Sequence, residues 1–78
     1  MTAEAIFAQH RARVFAVAYR LTGSVSDAED VVQDTWLRWS GIDFTDIRSP
    51  EAWLTTAASR LGLDHLRRLK ARDRKSVV

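Results

Sequence analysis

The sequence predicts an all-α protein, a small bundle of three or four helices. Apolar residues recur at intervals of three and four residues in three stretches of the chain, which is the period of a helix with one buried side. Glycine or proline beside a small polar residue separates these stretches, as expected at helix ends. With 78 residues and no cysteine, the chain can form one small domain over residues 1–78 that is stabilised by packing and not by disulfides.

The first predicted helix spans about residues 3–21. Its apolar positions lie on one side of a helical wheel and are Phe7, Val14, Ala18 and Leu21. Gly23 follows them, and we expect it to be the left-handed C-terminal cap. Ser26 and Glu29 then have the spacing of a capping box, in which the hydroxyl and the carboxylate each accept a hydrogen bond from a backbone N–H group. This pair is the predicted start of the second helix.

The second predicted helix ends near Trp39 and has two different sides. The side predicted to face the core consists of Ala28, Val32, Thr35, Trp36 and Trp39. The opposite side is acidic and polar apart from one leucine, and consists of Asp27, Asp30, Gln33, Asp34 and Leu37. Residues 41–48 lack helical periodicity and are predicted to form a loop with Phe44 at its middle.

The third predicted helix begins after Ser49, because serine is a good N-cap and Pro50 suits the first helical position. Its core side is predicted to be Trp53, Leu54, Ala57, Ala58, Leu61, His65 and Leu69. Its outer side is a basic ridge of Thr56, Ser59, Arg60, Leu63, Arg67 and Lys70, joined by Arg74 if the helix extends that far. Asp64 and Arg68 are four residues apart and can form an ion pair.

Charge is distributed unevenly along the chain, although the formal net charge is only +2. Residues 26–34 contain four acids and no base, and residues 60–75 contain seven bases and two acids. The first stretch repels nucleic acid and the second attracts phosphate. Either surface could also be an ordinary solvated helix face, and acids suit the positive end of the helix dipole. Leu37, with Val31 beside it, favours an interface with a basic partner on the acidic side.

Several classes of function are disfavoured by the sequence. No nucleophile stands beside a base and no glycine-rich loop is present, so we expect no enzyme. His10 and His65 lack metal-ligand spacing, so we expect no metal and no cofactor. No apolar run approaches the roughly 20 residues of a membrane span, and the N-terminus has no secretion signal. We therefore expect no membrane partner and a cytoplasmic location.

Two stretches of the sequence, AYRLTGSVSDAEDVVQDTWLRW and SPEAWLTTAASRLGLDHLRR, resemble region 2 of the extracytoplasmic-function (ECF) sigma factors of the sigma-70 family. The similarity extends from Phe7 to about Arg74. It implies a helical bundle of the sigma region 2 type, cut from a longer sigma factor whose region 4 is absent here. The second stretch also resembles the subgroup with an added C-terminal cone-shaped, SnoaL-like domain.

The resemblance implies a domain that binds core RNA polymerase and that recognises and melts the promoter minus-ten element. It assigns contacts with the clamp helices of the large β′ subunit to Asp30, Val31, Gln33, Asp34 and Leu37. In the family, the loop at residues 42–48 captures a flipped base of the non-template single strand, and here Phe44 is the predicted wall of that pocket. DNA contacts are predicted for Phe44, Arg48, Thr56, Ser59, Arg60, Leu63, Arg67 and Lys70. An anti-sigma factor is a further candidate partner.

Many relatives have Ala-Arg-Asn where this chain has Ala58-Ser59-Arg60. The arginine is therefore displaced by one position, which is about 100° around the helix. The individual DNA contacts are therefore less transferable than the polymerase contacts. Two alternatives to the sigma interpretation remain from the residues. A helix-turn-helix regulator would prefer duplex DNA and would have a short turn before its recognition helix. A pure protein-interaction module would bind without dependence on DNA strands or salt.

Overall fold

A computed structural model describes the backbone of residues 2–77 and the side chains of residues 2–71. It contains three α-helices, which are α1 (Ala3–Thr22), α2 (Val25–Ser40) and α3 (Pro50–Val77). A short 3-10 turn, Phe44–Asp46, lies between α2 and α3. Each helix packs against the other two, so the predicted all-α bundle is confirmed, with three α-helices in the described chain. None of the described helices has a stretch that is long and apolar enough to cross a membrane. Arg74 was predicted to join the basic ridge if the third helix extends that far. The α3 backbone does extend past this position, but the Arg74 side chain lies outside the described residues.

A tight two-residue junction joins α1 to α2. Gly23 has a φ angle of 71° and donates its backbone N–H to the Tyr19 carbonyl oxygen at 2.8 Å, which confirms the predicted left-handed cap. Ser24 follows with an extended backbone, and its Oγ accepts a hydrogen bond from the Asp27 N–H at 3.5 Å. Ser24 is therefore the N-cap of α2.

The predicted capping box at Ser26 and Glu29 is wrong. Ser26 lies inside the first turn of α2, with its Oγ 3.3 Å from the Oγ of Ser24. Because Gly23 ends α1 abruptly, the next residue already precedes a set of unpaired helical N–H groups and can cap them. The helix therefore starts at Val25, earlier than the Ser-x-x-Glu spacing indicates.

The core of the bundle is formed by buried residues from all three helices: Ile6, Phe7, Val14, Ala18, Ala28, Val31, Val32, Trp39, Leu54 and Ala58. Trp39 is fully buried at its centre, where its ring is 5.3 Å from the rings of Phe44 and Trp53. Its indole N–H donates to the Ala3 carbonyl oxygen at 2.9 Å. This bond satisfies a buried donor and fixes the end of α2 against the start of α1.

The packing of α3 determines where its outer side points. Ser49 Oγ accepts a hydrogen bond from the Ala52 N–H at 3.2 Å, and α3 begins at Pro50 as predicted. Gly62 is buried where α3 meets α1, and a Cβ atom at this position would lie 2.8 Å from Leu21 Cδ1. The two helices are therefore closely apposed there, which leaves the opposite side of α3 open to solvent.

Candidate functional site

The outward side of α2 carries four of the five predicted polymerase contacts. Asp30, Gln33, Asp34 and Leu37 are all exposed, and they are called the acidic face below. Leu37 is 58% exposed, slightly more than any other large apolar side chain that the structure describes. The face therefore combines an apolar contact with flanking carboxylates, as expected for binding a basic helix.

Val31 does not belong to the acidic face. Its side chain is only 1% exposed and lies in the core, so the prediction that Val31 contacts the polymerase is wrong. The Val31 carbonyl oxygen also accepts a hydrogen bond from the buried Thr35 hydroxyl at 2.7 Å. Both α1 and α3 pack on α2, so the buried arc of α2 is wider than one stripe and includes this position.

Asp27 was predicted to lie on the outer side of α2, but it is half-buried and contacts α3. Its Oδ1 lies 3.0 Å from the Nε2 of His65, a residue predicted to face the core. Ligand atoms of Asp27, Asp30 and His65 lie within 4.8 Å of one another. Since Asp27 and His65 already bind each other, this cluster links the start of α2 to α3 and we assign no metal to it.

A groove of about 1050 Å³ runs along the outer side of α3, and it is called the α3 groove below. It brings together four of the predicted DNA contacts, namely Thr56, Arg60, Leu63 and Arg67. Trp53, Ala57 and Leu61 contribute apolar lining, while Arg38 from α2 and Ile47 from the loop also reach it. An apolar floor bordered by guanidinium groups suits the stacking of unpaired bases and the binding of phosphates.

The electrostatics of the α3 groove are basic. Arg38, Arg60 and Arg67 line it, and Asp64 is the carboxylate among its lining residues. Asp64 Oδ2 lies 2.6 Å from Arg68 Nη2, which confirms the predicted pair and balances the acid. Within the described side chains, the three lining arginines form no ion pair. Their charge is therefore available to an anionic ligand.

Four of the predicted DNA contacts lie outside the lining of this groove. The ring of Phe44 is stacked on Trp39 at 5.3 Å with an interplanar angle of 24°, so one of its faces is occupied by the core. Ser59 is half-buried, and its hydroxyl donates to the Thr55 carbonyl oxygen at 2.9 Å. Arg48 and Lys70 are exposed, and neither lines the groove.

The connection between α2 and α3 is ordered by a local cap. Asp43 Oδ1 accepts hydrogen bonds from the Thr45 hydroxyl at 2.6 Å and from the Thr45 N–H at 3.0 Å. Both hydrogen bonds lower the pKa of Asp43, and the bond from the Thr45 hydroxyl has the larger effect. The carboxylate is therefore ionised at neutral pH, and its stabilising effect on the turn is lost as the pH falls through this lowered pKa.

The sequence of the chain matches a known protein family. Residues 6–72 match the protein family described as Sigma-70 region 2. The chain belongs to this family. The sigma region 2 resemblance read from the sequence is thereby confirmed, and no solved structure matches the chain significantly.

The region 2 domain is similar to part of several curated sigma factors. The ECF RNA polymerase sigma factor SigJ of Mycobacterium tuberculosis is 63% identical over 57 residues, which are 73% of this chain and 18% of that protein. SigL of M. tuberculosis is 38% identical over 88% of this chain and 41% of its own length. SigW of Bacillus subtilis is 33% identical over 78% of this chain and 34% of its own length. The chain therefore spans less than half of the length of these relatives.

Arg38 is a basic groove residue of this region 2 domain that the sequence interpretation missed. It immediately follows Leu37 on a helix whose outer side is acidic, so it was assigned to no surface. On a helical wheel it lies between Asp34 and the buried Val31, at the edge of α2 that faces α3. Only the position of α3 shows that this edge borders a groove.

Proposed function

We propose that this region 2 domain is a non-enzymatic sigma factor module that binds core RNA polymerase and recognises and melts the promoter minus-ten element. The observation that carries the proposal is the presence of two surfaces of opposite charge on one bundle. The acidic face lies on α2, and the basic α3 groove lies at the junction of α2, the loop and α3. Such a module would act in the cytoplasm, where polymerase and promoters are found.

The acidic face is proposed to bind the clamp helices of the β′ subunit. Its polar members, Asp30, Gln33 and Asp34, lie on the same side of α2 as an exposed leucine. A buried apolar contact within a complementary charged rim is the usual arrangement of an energetic centre in a protein interface. An anti-sigma factor that covered this face or the α3 groove would compete with the polymerase or with DNA.

The α3 groove is proposed to hold the non-template single strand. Its apolar lining can stack on bases, and its arginines can neutralise phosphates. Removing a base from the duplex stack costs a few kcal/mol, and these contacts are where that energy would be recovered. In the loop, the exposed part of Phe44 and Arg48 remain the proposed contacts for a flipped base.

The helix-turn-helix alternative fits the geometry less well. The connection between α2 and α3 comprises residues 41–49 and includes a 3-10 turn, whereas a recognition helix usually follows a turn of three or four residues. The short connection in the described chain is the one between α1 and α2, and it precedes a helix with an acidic outer face. An acidic helix is repelled by the phosphates that line the major groove.

Fluorescence anisotropy with a labelled clamp-helix peptide tests the polymerase contact. Leu37→Ala and Gln33→Ala are each expected to weaken binding by more than about 1 kcal/mol, the threshold for a significant interface position. The matched control is Val25→Ala, because Val25 is an apolar residue of the same helix that is 55% exposed and lies off the acidic face. This control should bind as tightly as the unmodified chain.

Absence of peptide binding by the folded, unmodified chain would contradict the polymerase role. Equal losses for Val25→Ala and Leu37→Ala would contradict the assignment of the acidic face, because the apolar contact would then be non-specific. Circular dichroism of each variant establishes that it has the same helix content as the unmodified chain before binding is compared.

A further inference from the structure

We propose that Arg38 of α2 is a DNA-backbone contact whose guanidinium binds a phosphate of the strand in the α3 groove, which Arg60 and Arg67 of α3 also line. The inference rests on the proposed DNA role of the groove and adds a residue and a second helix to it. It gives α2 a function on both of its solvent-facing edges.

Arg38 lines the α3 groove from a different helix than the other lining arginines. Most of the groove lining comes from the start and middle of α3, including Arg60 and Arg67, whereas Arg38 is the lining residue that α2 contributes. A strand lying along α3 would therefore pass between arginines of two different helices. Cations on both sides of a groove fix a phosphate backbone laterally, which a single ridge of bases on one helix does not do.

The charge of Arg38 is also available to a ligand. Arg38 is exposed, and it forms no ion pair with the described side chains. Asp34 is one helical turn before Arg38, a spacing that allows an ion pair between them. The ion pairs in the described part of the chain nevertheless involve other residues. The guanidinium can therefore bind a phosphate without first breaking a protein contact, and its planar shape allows a bidentate interaction.

The arrangement has a consequence for the two surfaces together. Leu37 and Arg38 are consecutive, so the helical step of about 100° places one on the acidic face and the other at the groove. A polymerase bound at Leu37 would hold α2, and with it Arg38, at a fixed distance from the strand. The phosphate contact of Arg38 would then fix the melted strand relative to the bound polymerase.

The test is the salt dependence of binding between the 78-residue chain and a labelled single-stranded oligonucleotide. Loss of one phosphate contact is expected to reduce the slope of log K against log salt by about 0.7, which corresponds to a loss of affinity of roughly eightfold near 50 mM salt. Arg38→Ala should show this loss, and Arg38→Lys should keep most of the slope. Arg11→Ala removes an exposed arginine of α1 that does not line the groove, and it should leave the slope unchanged.

Three results would overturn the inference, and they separate it from the proposed function. If Arg60→Ala and Arg67→Ala reduce the slope but Arg38→Ala behaves like Arg11→Ala, the groove binds DNA and only the role of Arg38 fails. If Arg38→Ala weakens binding of the clamp-helix peptide and not of the oligonucleotide, Arg38 belongs to the acidic face. If the unmodified chain does not bind the oligonucleotide, the DNA role of the groove fails together with the inference.

Discussion

At the scale of single residues, the junction between α1 and α2 depends on one backbone conformation. Gly23 has a φ angle of 71°, and no neighbouring atom would contact an added Cβ. Gly23→Ala is therefore expected to lower the free energy of unfolding by about 1 kcal/mol through backbone strain alone. Urea denaturation followed by circular dichroism measures this change.

Gly41 provides the control for Gly23. Its φ is −95°, and an added Cβ would lie 3.6 Å from the nearest atom, a backbone oxygen. Gly41→Ala should leave the free energy of unfolding unchanged or raise it by up to about 1 kcal/mol, because alanine restricts the unfolded chain. If both variants lost the same stability, the left-handed conformation would not be the cause of the effect at Gly23.

Asp27 and His65 show how a residue can differ from its predicted environment. The wheel assigned Asp27 to solvent and His65 to the core, and the structure places both at the boundary of α2 and α3, in contact with each other. Two polar groups at a boundary can satisfy each other without full burial. No pattern in the sequence pairs them, since they are 38 residues apart.

At the scale of the element, the residues of α2 that stabilise the fold differ from the residues that are proposed to bind the polymerase. Val31 is buried and Leu37 is 58% exposed, although both are apolar and both were predicted to contact the polymerase. Val31→Ala should lower the free energy of unfolding by about 2 kcal/mol, because it removes buried methyl groups and leaves a cavity. Leu37→Ala should change the same quantity by no more than about 0.5 kcal/mol.

The two variants should show the opposite order in peptide binding. When both are measured at a temperature where they are fully folded, Leu37→Ala weakens binding to the clamp-helix peptide and Val31→Ala does not. A loss of binding by folded Val31→Ala would reinstate Val31 as an interface residue. Unfolding and anisotropy on the same protein samples provide both quantities.

At the scale of the whole molecule, the mixed apolar and basic lining of the α3 groove predicts a preference for single strands. Three arginines from two helices line the α3 groove, so binding to a single-stranded oligonucleotide should show a salt slope of about −2 from these contacts. Duplex DNA of the same sequence is expected to bind more weakly, because its bases are stacked on each other and cannot pack on Trp53 and Leu61. Anisotropy titrations at several salt concentrations measure both quantities.

Tighter binding of the duplex would favour the helix-turn-helix interpretation. Binding of neither form, combined with peptide binding that is insensitive to salt, would favour a module that interacts only with proteins. The strand comparison therefore distinguishes the three functions that the sequence leaves open.

The sequence alone determined the helices, most of their core residues and the family. Helix ends depend on neighbouring residues, so Gly23, Ser49 and Pro50 could be interpreted without knowledge of the fold. The period of the apolar residues is equally local, and it correctly placed Val14, Trp39 and Leu54 in the core. The acidic face and the basic ridge followed from the same periodicity.

Only the tertiary structure decided how wide each buried arc is and which residues of different helices meet. Packing against both α1 and α3 buries Val31, and stacking on Trp39 partly covers Phe44. The approach of α2 to α3 makes Arg38 part of a groove. A helical wheel gives the angle between residues of one helix but not the direction from which its neighbours approach, because that direction depends on contacts between residues far apart in sequence.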